Sequence, residues 1–76
     1  MNNARRKRIC KIADALNKLK SQIDELYEEE HGAFENIPES LHGTKRYEIA
    51  ENAVDMLESA SLRVENAITF LEDAEG

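Results

Sequence analysis

The sequence predicts an all-α fold: an antiparallel two-helix coiled-coil hairpin that dimerises into a four-helix bundle. Two observations carry that expectation. From Thr44 to Ala74 no Gly or Pro interrupts the chain, and Tyr47, Ala50, Val54, Leu57, Ser61, Val64, Ile68 and Leu71 follow one another at alternating steps of three and four. That rhythm is the seam by which one helix packs along another. From Ile9 to Leu26 the same rhythm recurs through Ile12, Leu16, Leu19 and Ile23.

The whole chain, 1–76, reads as one helical-hairpin domain: a helix over 3–31, a loop over 32–43 and a helix over 44–74. Asn2 or Asn3 can cap the first helix, because short polar side chains accept hydrogen bonds from free N–H groups at a helix start. Its length corresponds to roughly 45 Å at 1.5 Å per residue. Gly32 marks its expected end. In the loop, Pro38 suits the opening of a short helical turn through Leu41, and Phe34, Ile37 and Leu41 are expected to fold back over the end of the helix pair. Thr44 is the expected N-cap of the second helix, with Tyr47 in place of the Glu of a full capping box. Setting Leu26 against Ala50 aligns Leu19 with Leu57 and Ile12 with Val64, puts Ser61 against Leu16, and leaves Glu30 opposite Tyr47.

A second stripe runs beside the seam of the second helix: Ile49, Ala53, Met56, Ala60, Ala67, Phe70 and Ala74. Alanines that recur every seven residues let a neighbouring backbone come close. The chain has only one other long helix, so this stripe points to a second copy of the chain or to another protein. Size agrees. The chain has 76 residues, 5% aromatics, no Trp and a single Cys. It has no disulfide or metal cluster to stabilise so small a core, which leaves oligomerisation. The lone thiol fits a reducing cytoplasm, and no apolar run approaches the roughly 20 residues of a membrane span.

Charge divides the chain. Residues 1–20 hold seven Lys/Arg against one Asp, and residues 21–76 hold three against fifteen acids, within a total of −6. A net-acidic chain argues against nucleic acid as a partner, since that affinity comes largely from neutralising phosphates. The run Arg5-Arg6-Lys7-Arg8 forms the basic exception, read as a solvated helix start or as a contact to nucleic acid or to an acidic partner. The cationic first turn and the anionic end at Glu72, Asp73 and Glu75 each oppose their own helix dipole, and an antiparallel hairpin sets the two side by side. Across a dimer, helix 1 is basic at one end and acidic at the other, which favours two copies laid antiparallel with their loops at opposite ends.

The segment Glu28-Glu29-Glu30, then Ala33-Phe34-Glu35-Asn36-Ile37-Pro38-Glu39-Ser40-Leu41, then an Ala/Glu/Leu helix, resembles a group of short proteins encoded by phages and mobile elements of Gram-positive bacteria. The resemblance implies a context, an accessory protein that inhibits or adapts a host protein, with antiviral defence as one such target. It transfers no catalytic or binding residue.

The candidate chemistry is sparse. Glu28 and His31 have the Glu-x-x-His spacing of di-metal bundles but lack the second pair such sites need. Glu25, Glu28, Glu48 and Glu51, at one height in the register above, echo the magnesium carboxylates of all-α nucleotide pyrophosphohydrolases. Cys10 lies near Arg6 and Lys11, cations that would lower its pKa, but has no catalytic partner. Thr44, Lys45 and Arg46 start a helix after Gly43, a place where N–H groups bind phosphate. The leading expectation is a cytoplasmic, non-enzymatic protein-interaction module without cofactor or metal, whose partners are itself and a host protein. Its interacting residues are Arg5, Arg6, Arg8, Ile49, Ala53, Met56, Ala60, Ala67 and Phe70. The alternatives are a nucleotide-sequestering phosphate binder at Thr44–Arg46 and a Mg-dependent hydrolase.

Overall fold

The computed structural model describes all 76 residues, Met1–Gly76. It contains two long helices, α1 (Asn3–Glu35) and α2 (Lys45–Glu75), joined by a short 3₁₀ turn at Glu39–Leu41. They pack against each other as a hairpin measuring 60 × 15 × 13 Å. No helix is long and apolar enough to cross a membrane.

Both helix starts are capped as their sequences suggest. Asn2 Oδ1 accepts from the Arg5 N–H at 2.8 Å. Thr44 Oγ1 accepts from the Tyr47 N–H at 3.3 Å and donates to the Leu41 carbonyl at 2.6 Å. The Arg5 and Tyr47 bonds each satisfy a donor that a helix start leaves free. Gly43 takes φ +86°, a left-handed conformation that favours glycine.

The end of α1 differs from the expectation. The helix continues through Gly32 to Glu35 instead of stopping at residue 31. One interior Gly costs only about 1 kcal/mol relative to Ala, and Ala33, Phe34 and Glu35 carry the helix on. Pro38 is the harder stop, because it drives the residue before it out of helical geometry. The Asn36 N–H still reaches the Gly32 carbonyl and the Ile37 N–H the Phe34 carbonyl, both at 3.2 Å.

Lengthening α1 shifts the whole register. Phe34, not Glu30, meets Tyr47, with ring centroids 4.9 Å apart. Asp24, not Leu16, meets Ser61, so the expected Leu26–Ala50, Leu19–Leu57 and Ile12–Val64 layers do not form. At the far end, Arg6 Nε donates to the Glu75 carbonyl at 3.2 Å. A cation from the first turn of α1 thereby satisfies a free carbonyl at the negative end of α2, as the charge pattern suggested.

The seam of α1 is rotated as well. Ile9, Ala13, Leu16, Lys20, Ile23, Tyr27 and Phe34 are buried or half-buried, whereas Ile12, Leu19 and Leu26 are about half exposed, at 51%, 51% and 50%. Ile9, Leu16 and Ile23 belong equally to a three-four and to a four-three rhythm. The second rhythm also brings the rings of Tyr27 and Phe34 and the Lys20–Asp24 pair to α2. Ile37 is half-buried over the loop end, but Leu41 stays exposed.

Only Ala13, Val54, Ser61 and Ile68 are buried. Val54 and Ile68 contribute about 1.5–3 kcal/mol each by burial, while ordering the backbone costs roughly 1–2 kcal/mol per residue. The hairpin alone is short of apolar burial.

Candidate functional site

Most of the apolar surface missing from the core lies on one side of the hairpin. On α1, Ile12, Leu19 and Leu26 each precede a seam residue (Ala13, Lys20, Tyr27). On α2, Ala53, Ala60 and Ala67 each precede one as well (Val54, Ser61, Ile68). Since α2 returns along α1, these two flanks face the same way. The next column outward on α2 is Ile49, Met56, Arg63 and Phe70, seven residues apart. Ile49, Met56 and Phe70 are 61%, 55% and 72% exposed. At the N-terminal end of this face, Met1, Arg5, Arg8, Ile9 and Ile12 line a shallow depression.

The opposite flank is polar apart from Leu62, which is 54% exposed. Lys20, Asp24, Tyr27 and Glu28 of α1 share a depression with Glu58, Ser61, Leu62 and Glu65 of α2. At its centre the Asp24 carboxylate accepts from Ser61 Oγ and from Lys20 Nζ at 2.9 Å. The Ser61 hydroxyl and then the Lys20 ammonium hold the Asp24 pKa below its ordinary 3.8. Chiefly through the hydrogen bond with Asp24, the Lys20 pKa is raised above its ordinary 10.5. A carboxylate with a depressed folded-state pKa stabilises the fold above its unfolded pKa, and loses that contribution as pH falls through the folded value. The hairpin is therefore expected to lose stability below about pH 4, and Asp24→Asn to flatten that acid limb in thermal melts followed by circular dichroism. An Asp24→Asn protein with an unchanged acid limb would show that the bond across the helices does not contribute.

The places singled out for chemistry are separated or already engaged. Glu25 and Glu28 do not share a height with Glu48 and Glu51, because the longer α1 sets Glu28 beside Glu58. No three His, Cys, Asp or Glu side chains converge as a metal-binding group. His31 Nε2 lies 3.5 Å from Glu35 Oε1, and its ring stacks on Tyr27. The Cys10 thiol is exposed, and its pKa is raised, by Asp14 first and Glu75 next, where Arg6 and Lys11 had been expected to lower it. Thr44 is occupied as a cap, and Lys45 and Arg46 extend into solvent. Beside this turn the His42 ring packs on Tyr47 at 4.5 Å, and His42 Nε2 lies 3.2 Å from the Ile37 carbonyl.

No family model, curated protein or solved structure matches the chain. The functional reading therefore rests on the two faces just described. Of the residues expected to bind partners, Ile49, Ala53, Met56, Ala60, Ala67 and Phe70 lie on the apolar side, together with Arg5 and Arg8 at its end. Arg6 is turned to the C-terminus of α2. Sequence reasoning missed Ile12, Leu19 and Leu26 as members of this face. The available signal was their strict seven-residue spacing, one position before Ala13, Lys20 and Tyr27.

Proposed function

We propose that this chain is a non-enzymatic protein-interaction module: an antiparallel coiled-coil hairpin that self-associates into a four-helix bundle and, in that form, engages a host protein. The observation that carries the reading is the exposed apolar side of Ile12, Leu19, Leu26, Ile49, Met56 and Phe70, broken by Arg63, on a chain with almost no buried core. A contiguous exposed apolar patch marks an interaction surface. The likeness of Glu28–Glu30, Ala33–Leu41 and the helix that follows to short proteins of phages and mobile elements suggests the biological setting, an accessory protein that inhibits or adapts host machinery.

The test is affinity capture from host lysate with two baits, the wild type and Met56→Glu. Recovery of a specific host protein by the wild type and its loss with the variant is the expected result. Equal recovery by both baits, or by neither, would count against the reading.

A further inference from the structure

Resting on the reading of the apolar side as an interaction surface, we propose that its occupant is a second copy of the chain laid head to tail. In this arrangement α1 packs on the partner's α1, α2 on the partner's α2, and the two loops lie at opposite ends.

Area supports a second copy. A globular monomer of 8.7 kDa exposes about 4,700 Å² by the usual size scaling, whereas this hairpin exposes 5874 Å². The excess is about 1,100 Å², and a stable complex buries about 800 Å² per partner.

Side-chain size selects the direction. On α2 the large column Ile49, Met56, Arg63 and Phe70 runs beside the small column Ala53, Ala60, Ala67 and Ala74. When two such helices cross head to tail, residues of one column meet residues of the other in each layer, so every large side chain lands on a partner alanine. Alternating large and small across facing positions lets layers interdigitate. With the loops at the same end, α2 would instead face the partner's α1, setting Ile49, Met56 and Phe70 against Ile12, Leu19 and Leu26, large on large.

Charge agrees. None of the eight acids of α2 stands in its two face columns, and Arg63 is the one charge in them, so no acid–acid contact opposes α2 on α2. On α1, Arg8 and Glu29 lie in one column, 21 residues apart. That is roughly 30 Å at 1.5 Å per residue, too far to meet within one chain. Inverting the partner brings the Arg5–Arg8 end of each copy to the Glu29 end of the other.

The experiment uses the full chain with Cys10→Ser and Glu39→Cys, spin-labelled in the loop, with the label–label distance read by pulsed dipolar spectroscopy and the mass by sedimentation. The head-to-tail arrangement places the labels on the order of one molecular length apart, 60 Å. A dimer with labels within about 20 Å, two helix spacings of roughly 10 Å, would overturn this arrangement and leave the interaction surface standing. A species that sediments only at 8.7 kDa would overturn both.

Discussion

Replacing Met56 by glutamate is expected to dissociate the protein and melt it at a much lower temperature. On an isolated hairpin the change would be nearly silent. Met56 is more than half exposed, Glu is as good a helix former as Met, and surface substitutions usually stay within about 0.5 kcal/mol. In the bundle the same carboxylate is taken out of water in a column whose one cation is Arg63, and removing a charge from water costs several kcal/mol that an opposite charge repays only in excellent geometry. Symmetry applies that cost twice. We expect the dimer dissociation constant to rise at least about 100-fold, equivalent to roughly 3 kcal/mol, in sedimentation at graded concentrations. A Met56→Glu protein with the wild-type melting temperature and mass would mean that this side faces water.

The second large effect is expected at Ala60, which sits mid-way along α2 in the alanine column. Leucine there adds three carbons where two backbones should be close, and overpacking typically costs about 1–3 kcal/mol, again once per copy. In an isolated hairpin Ala60 is only half-buried on a flank, and a leucine has room to lie along the surface. The variant is thus expected to weaken or rearrange the assembly while keeping its helix content by circular dichroism. Unchanged melting temperature and oligomeric state would remove the column from the interface.

The helices, their caps and the 3₁₀ turn after Pro38 were legible because each depends on local chemistry: Asn2 and Thr44 as acceptors, Pro38 as a stop, Gly43 as a left-handed turn. The register was not legible. It depends on where α1 ends, and Gly32 is a weaker stop than its position suggests, so extending α1 to Glu35 moved the facing pairs by more than a turn. The seam of α1 was ambiguous for a different reason. Ile9, Leu16 and Ile23 fit two rhythms, and the choice depends on cross-helix contacts, Asp24 with Ser61 and Phe34 with Tyr47, that no single helix encodes. The exposed stripe of α2 was legible from its seven-residue period. The apolar side was not legible as a whole, since Ile12, Leu19 and Leu26 join it only after α1 rotates.

The extension of α1 and its rotation act together. Moving three large residues out of the hairpin thins its core and enlarges the surface that a partner must cover. The polar layer at Lys20, Asp24 and Ser61 takes one of the vacated seam positions and faces the other flank. The result is a hairpin with one apolar and one polar side, a geometry suited to pairing.

Sedimentation equilibrium of the wild-type chain at micromolar concentration tests the central claim most directly. Self-association through the apolar side predicts a mass of twice 8.7 kDa. A single species of 8.7 kDa, with a melting temperature independent of concentration, would contradict it.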